Sequence, residues 1–323
     1  MPTRKHVKAA PRLSPAYKTH CGEMYACGIE KFLKSRNGVS LCGRVQLLFT
    51  SPPFPLNKKK AYGNLQGADY ITWLAAFAPL FKKLLTRNGS IVIEMGNSWQ
   101  PGKPIMSTLA LEALLQFTRN GRLKLAQQFI CYNPARLPSP AQWVNVERIR
   151  LKDSYTHLWW MSKSERPLAN NRKVLKPYSE SMLELLRTKK YNSGKRPSEH
   201  HIGKSSFLKN NRGAIPSNVL EFSNTCNGDA YHRYCKAKGL KLHPARMPVG
   251  LPEFFVKFLT KPGDLVFDPF GGSNTTGAVA EKLGRKWISV EANREYVKAS
   301  RGRFQQTKRR KAIQPGSRLR KKP

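Results

Sequence analysis

Two short stretches carry the residue types that could do chemistry. The first is Asp268-Pro269-Phe270-Gly271-Gly272-Ser273-Asn274-Thr275-Thr276-Gly277. The apolar run Leu265-Val266-Phe267 precedes it, and Ala278 to Leu283 follows with helical apolar spacing before Gly284 as a C-terminal cap. The pattern predicts a strand, a tight glycine-rich turn and a helix. Such a turn lets backbone approach a ligand closely, and the helix N-terminus presents free N–H groups to it. Arg285 to Glu291 then reads as a second strand ending in an acid. The spacing from Asp268 to Glu291 is that at which such an acid reaches a ribose hydroxyl in nucleotide-type sites. The second stretch is Ser51-Pro52-Pro53-Phe54. The Ser51 hydroxyl can accept a hydrogen bond from an amino group. The stiff Pro-Pro turn presents a backbone carbonyl as a second acceptor, and Phe54 offers a flat face for stacking. Two acceptors aimed at an exocyclic amino group, with one stacking ring, describe a pocket for an extruded nucleobase.

The elements that must position these residues alternate along the chain. Val45-Gln46-Leu47-Leu48-Phe49-Thr50 is a near-continuous apolar run, the pattern of a strand buried on both faces. It delivers Ser51 at its carboxyl end, where open α/β sheets bind ligands. Tyr70 to Leu85 has helical spacing, and Asn88-Gly89 turns into the strand Ser90 to Met95. Ile105 to Phe117 reads as a second amphipathic helix and Phe129 to Tyr132 as a short strand. Thr156 to Met161 reads as an aromatic strand at or near the sheet edge, with Trp159 and Trp160 in the core. Strands alternating with helices predict an α/β fold, doubly wound around a mostly parallel sheet. From about Ser162 to His243 the pattern gives way to a loop-rich stretch of Lys, Arg, Asn, Ser, Gly and Pro, expected to be an inserted module.

Charge points to the partner. Lys and Arg number 58 against 19 Asp and Glu, a formal net charge of +39. An excess of that size repels itself unless a polyanion neutralises it, so nucleic acid is the expected partner. No apolar run is long enough for a membrane span, and the N-terminus has no apolar core of a secretory signal. The six cysteines form no Cys-x-x-Cys pair, which fits a reducing, cytoplasmic and nucleoid-associated setting. Cys226, His232, Cys235 and His243 cluster in sequence, but their spacing matches no standard zinc site, so no metal is expected. Lys58, Lys59 and Lys60 follow the Pro-Pro turn; Arg148 and Arg150 lie before the aromatic strand. Arg196, His200, Lys204, Lys209 and Arg212 lie in the basic module. These cations are the candidate DNA contacts.

Taken together, the motifs resemble the amino-group DNA methyltransferases of the permuted class, in which the catalytic motif precedes the cofactor motif. Thr50-Ser51-Pro52-Pro53-Phe54, with Ser first, is similar to the cytosine-N4 branch; the adenine-N6 branch has Asn or Asp there, and one side chain separates the two. The resemblance runs from Met24-Tyr25 to about Arg303 and includes Leu137-Pro138-Ser139-Pro140, Trp143-Val144-Asn145, Trp159-Trp160, His243-Pro244-Ala245-Arg246 and Leu251 to Phe255. It implies a Rossmann-like, circularly permuted fold. A flexible arm would span 1–20, a catalytic half 21–161, a target-recognition region 162–242, a cofactor half 243–303 and a basic tail 304–323. It implies that Ser51, Pro52, Pro53 and Phe54 hold a flipped cytosine. It implies that Asp268, Phe270, Gly271, Gly272, Ser273, Asn274 and Thr275 cradle S-adenosylmethionine, with Glu291 on its ribose and Pro244 and Arg246 at its methionine end. Double-stranded DNA is the implied substrate. A cognate restriction endonuclease sharing the site, and action as a monomer, come with the resemblance. No Pro-Cys dipeptide is present to supply the nucleophile of a cytosine-C5 enzyme. Two departures stand out. Asn274 occupies the place of the family's last turn glycine, and Asn is the non-glycine residue most at ease at positive φ. The Gly-Asp expected after Met24-Tyr25 is absent, leaving Glu23 or Glu30 to take over that acid. From a different functional class, the motifs also fit a DNA-binding relative whose catalytic site has decayed.

Overall fold

A computed structural model describes residues 10–54, 65, 67–223 and 228–308. In chain order its strands are β1 (Tyr17–Lys18), β2 (Gly22–Ala26), β3 (Val45–Thr50), β4 (Leu85–Gly96), β5 (Ser98–Trp99), β6 (Met106–Ser107) and β7 (Lys124–Tyr132). There follow β8 (Tyr155–Ser162), β9 (Gly194–Lys195), β10 (His201–Ile202), β11 (Val219–Glu221), β12 (Leu265–Asp268) and β13 (Lys286–Glu291). Nine of them form one sheet in the order β1-β2-β13-β12-β3-β4-β8-β7-β11. Only β1 and β8 run against the rest, so the sheet is mostly parallel, as expected.

Alternation along each central strand builds a core on either face. Leu48, Ile91, Ile93 and Trp159 pack under the helices Gly67–Leu84 and Leu109–Asn120. Leu47, Phe49, Val92 and Trp160 pack on the other face against Gly250–Leu259 and Thr275–Lys282. All six side chains of β3 are buried, which is why it reads as an unbroken apolar run. The buried Gln46 is satisfied by donating to the carbonyls of Asn88 and Leu259.

Three expectations change. The aromatic strand β8 is not at the edge: β4 and β7 flank it, and the edge is taken by Val219–Glu221, parallel to β7. That strand lies inside the stretch read as an insertion, as does the helix Ala230–Ala237, which buries Tyr231 and Cys235. The methyltransferase-like core therefore draws on residues before 243, because apolar runs as short as Val219-Leu220 give little periodicity to read. The arm expected over 1–20 is packed where it is described. Tyr17 is 8% exposed, and Lys18 of β1 pairs with Glu23 of β2.

Tyr17 explains how the turn after β12 survives without its last glycine. Asn274 adopts φ 55° and ψ 44°, the left-handed conformation. Its Oδ1 accepts from Gly277 N at 3.1 Å and from the Ser289 hydroxyl at 2.8 Å. Its Nδ2 donates to the Tyr17 hydroxyl at 3.0 Å. Tyr17 pairs with Ser300 Oγ at 2.7 Å, and Ser300 donates to the Val297 carbonyl. Asn274 is therefore an N-cap and the knot of a fully buried polar chain. Replacing Asn274 with Gly should keep the turn but orphan the Ser289 hydroxyl and leave Tyr17 with Ser300 alone, lowering stability by about 1–3 kcal/mol. Asn274→Ala should cost about 1 kcal/mol more, for the strain of a Cβ at positive φ. Urea denaturation of the three proteins checks the order; equal midpoints would contradict it.

Candidate active site

One cavity of about 500 Å³ opens at the carboxyl ends of β2, β3, β4, β7, β12 and β13. The two motifs meet there because β3 and β12 are parallel neighbours. Thr50 Oγ1 donates to Asp268 Oδ1 at 2.8 Å, joining residues 218 apart in sequence.

On the β12–β13 side, Asp268 is 4% exposed, and burial pushes its carboxyl from 3.8 up to about 6. Hydrogen bonds from Thr276, Thr50 and Phe270 N oppose that shift, while the Glu291 charge adds to it. Burial also raises Glu291. Its Oε2 accepts from Gly272 N at 2.9 Å and its Oε1 from Asn293 N at 2.7 Å, fixing the carboxylate on the cavity wall. Gly272 has φ 50°, and a Cβ there would lie 3.0 Å from His243 Nε2, so the turn and the His243 segment are fitted to each other. His243 stands edge-on to Tyr296, with ring centroids 4.5 Å apart. Pro244, Arg246, Phe270, Gly271, Ser273 and Thr275 all line the cavity. Arg246 Nη1 lies 2.8 Å from His232 Nδ1. Asn274 is the exception: it is fully buried, forms no part of the wall, and shapes the turn from behind.

The turn has a clamp that sequence reading missed. Arg303 donates from Nε to the Ser273 carbonyl at 2.8 Å and from Nη2 to its hydroxyl at 3.0 Å. Asp229 lies 3.7 Å from the guanidinium, which rests 4.7 Å above the Tyr231 ring. Arg303 heads the basic C-terminal run, and nothing in its neighbourhood sets it apart. The two acids named for the place of the absent Gly-Asp differ in position. Glu30 lines the cavity and accepts from Trp73 Nε1 at 3.2 Å. Glu23 lies off the wall, paired with Lys18 at 2.7 Å and with the Tyr25 hydroxyl.

On the β3–β4 side, Ser51, Pro52, Pro53 and Phe54 form one wall. The Phe54 ring lies where a Cβ on Gly96 would come within 2.5 Å, so Gly96 gives it room. Beneath Ser51 sits Glu94, 8% exposed, its carboxyl raised by burial and opposed by hydrogen bonds from Thr156 and Ser51. Thr156 Oγ1 donates to it at 3.0 Å. With Glu94 ionised, Ser51 must donate to it, which leaves the serine's lone pairs for an incoming amino group. The signal for Glu94 was available: it is an acid amid Ile91-Val92-Ile93 and Met95, in the part of β4 from 89 to 96 that is buried throughout.

The candidate DNA contacts stand outside this cavity. Arg148 and Arg150 lie on the exposed loop between β7 and β8, where Arg150 Nε donates to the Pro104 carbonyl at 2.9 Å. His200, Lys204, Lys209 and Arg212 are exposed around the β9–β10 hairpin; Arg196 is half-buried and donates to the Asn192 carbonyl at 2.7 Å. Lys58, Lys59 and Lys60 lie outside the described residues, as does Cys226.

Comparison with known proteins agrees with this geometry. The N6/N4 methyltransferase family model, described as a DNA methylase, matches residues 45–302. The type II methyltransferase M.PvuII of Proteus hauseri is 46% identical over 292 residues, covering 90% of this chain and 85% of the relative. M.HpaI of Haemophilus parainfluenzae is 38% identical over 97 residues, 30% of this chain and 28% of the relative. The solved structure of PvuII DNA methyltransferase (cytosine-N4-specific) matches with a TM-score of 0.73 and 38% identity, over 93% of this chain and 91% of that one. A complex of M1.HpyAVI with SAM shares the fold at a TM-score of 0.53 and 18% identity, over 88% of this chain and 99% of that one. The chain belongs to the N6/N4 family of DNA methylases.

Proposed function

We propose that this chain transfers a methyl group from S-adenosylmethionine to the exocyclic N4 of a cytosine extruded from duplex DNA. The observation that carries it is the joining of Ser51, held by Glu94, and the Asp268–Glu291 turn in one cavity. The residues fit the cofactor. Gly271 and Gly272 carry no side chain into the cavity that they line, so backbone can approach the cofactor, and Asp268, Glu291 and Glu30 put carboxylates on the same wall, suited to a sulfonium and a ribose. Glu30 takes the part of the acid that the sequence lacks near Gly28.

When bound, S-adenosylmethionine supplies an electrophilic methyl group on a positively charged sulfur. The protein's work is on the acceptor. The cytosine amino nitrogen is a poor nucleophile because its lone pair is delocalised into the ring. Ser51 Oγ and the Pro52 carbonyl accept its two N–H bonds, favouring a more pyramidal nitrogen whose lone pair points along the cavity. Phe54 stacks on the ring and fixes its plane. As the N–C bond forms and the S–C bond breaks, the nitrogen becomes cationic and one proton leaves by way of Ser51 toward Glu94. The raised affinity of Glu94 for a proton suits that step. The remaining contribution is positioning and electrostatics.

Outside the cavity, the exposed basic surface of 163–218 is assigned to target recognition and the tail beyond 308 to phosphate attraction. Action as a monomer beside a restriction endonuclease of the same specificity completes the proposal. No helix of the described residues is long and apolar enough to cross a membrane.

Three outcomes check the proposal. Nucleoside analysis of treated DNA should yield N4-methylcytosine; N6-methyladenine in its place would overturn the choice of base. Ser51→Ala should lower turnover by about 10²–10³-fold and leave the Kd for S-adenosylmethionine within about twofold. Steady-state kinetics with calorimetry separates the two quantities. Cofactor affinity should weaken as pH falls through about 6, approaching tenfold per pH unit, because Asp268 loses the charge that attracts the sulfonium. The sign for folding is opposite. The raised Asp268 binds more protons folded than unfolded between 3.8 and about 6, so its contribution to stability falls as pH rises through that window. Titration of Asp268 therefore does not unfold the protein in acid, and Asp268→Asn should flatten the loss of affinity in calorimetry across pH 5–8.

A further inference from the structure

The chain between β7 and β8 leaves the sheet at one wall of the cavity and returns at another: Cys131, Asn133 and Arg136 line it on the way out, Ser154, Tyr155 and Thr156 on the way back. Its legs are pinned together. Asn133 N donates to the Ser154 carbonyl at 2.8 Å, Asp153 N to the Ser139 carbonyl at 3.0 Å, and Lys152 Nζ to the Pro134 carbonyl at 3.0 Å. Farther out, Ile149 N and Arg150 N both donate to the Trp143 carbonyl, and the Trp143 ring packs 5.6 Å from Trp99. The loop is thus built and braced, yet it holds apolar side chains out into water. Leu151 is 90% exposed and Leu137 80%, the two highest values for large hydrophobic side chains among the described residues. Apolar groups presented from a braced scaffold mark a contact surface.

What covers them follows from position and charge. Leu137 is next to Arg136, and Leu151 lies between Arg150 and Lys152. Residues 136–152 carry four cations and one acid, Glu147. Asp153 is buried beneath, accepting from Asn97 Nδ2 at 2.8 Å. Aliphatic tips bracketed by cations suit a stack of bases bracketed by phosphates. Both ends of this loop line the cavity, so anything seated on it adjoins the site. A lasting protein partner there would block the passage of substrate, whereas the duplex that delivers the base would not.

We infer that Leu137 and Leu151 form a wedge that enters the base stack and fills the space left by the extruded cytosine. Arg136 and Lys152 take the phosphates on either side. Arg136 is the inner post of this device: its Nη1 donates to the Tyr155 carbonyl at 3.1 Å, and Asp153 lies 3.9 Å away. An extruded base leaves a gap whose collapse would drive the base back, and an apolar side chain in that gap keeps it open. The wedge rests on the base-extruding reading above.

The test uses the full chain and two duplexes carrying a methylation site mapped beforehand by sequencing. In one, the target cytosine is paired with guanine; in the other, it faces an abasic residue and needs little energy to leave the stack. The Leu137→Ser, Leu151→Ser double variant changes exposed positions only. It should methylate the paired duplex about tenfold or more slowly, and the abasic-opposed duplex within about twofold of the unsubstituted protein. Equal loss on both duplexes, or no loss on either, would overturn the wedge. So would a shift in sedimentation from oligomer to monomer on substitution, which would assign the leucines to a second copy of the chain. If the unsubstituted protein forms no methylcytosine on either duplex, the enzymatic reading itself fails and the wedge falls with it.

Discussion

The hydrogen bond from Thr50 to Asp268 is the point on which the site depends. It exists because β3 and β12 lie side by side and parallel, although 218 residues separate the two partners. Each strand ends one step from a functional turn. A slip of register would send Ser51 or the glycine turn to a different height, and a slip by one residue would also exchange the two faces of a fully buried strand. Packing Leu47 and Phe49 on one core and Leu48 on the other therefore sets the distance between the Ser51 turn and the glycine turn. Asp268 is held in a dry place as a result, with the Thr50 hydroxyl as one of the few groups able to hold its charge there.

Much of this was legible in the residues. The unbroken apolar run of β3, the glycine turn with a following helix, and the terminal acid of β13 each carry local signals that tertiary structure did not override. Asn274 was also foreseeable in part, since positive φ is a property of the turn itself. What was not legible is what depends on contacts between distant segments. Arg303 acts on Ser273 across 30 residues, and Tyr17 on Asn274 across 257. Neither residue differs in its own neighbourhood from other arginines or tyrosines of the chain. The strand β11 was missed for another reason. Three residues give no period, and parallel pairing with β7 alone makes Val219–Glu221 a strand. By contrast, the placing of β8 at the edge failed because edge status belongs to the sheet's complete strand list, not to the strand.

The clamp at the glycine turn ties together distant parts of the chain. The helix Ala230–Ala237, in the stretch taken for an insertion, begins at Asp229, which both caps it and attracts Arg303. Tyr231 on the same helix lies under the Arg303 guanidinium and accepts from His243 N at 3.0 Å. His243 in turn faces Gly272. One short helix is thus joined by closed contacts to both the Arg303 clamp and the His243 segment that faces the glycine turn.

The distribution of charge answers a difficulty that any such enzyme faces. Its two substrates have opposite sign: a polyanion outside and a sulfonium cation within. A net charge of +39 would repel the cation if it acted uniformly. Surface charges are screened over roughly 8–10 Å at ordinary salt, whereas charges on a buried wall are screened far less. The few acids of the chain need only be placed well. Asp268, Glu291, Glu30 and Glu94 line the cavity, while the exposed cations stand on the loops beyond it. Three of the four acids are tied down by backbone or hydroxyl donors from elements that the fold fixes in any case: Glu291 by Gly272 and Asn293, Asp268 by Thr50 and Phe270, and Glu94 by Thr156. Arg136 and Arg246 stand on the same wall, where the acids outnumber them four to two, so a cation meets a short-range, weakly screened excess of acid while a polyanion meets a long-range positive surface. The two fields act over different distances, which lets one strongly basic chain hold both substrates together.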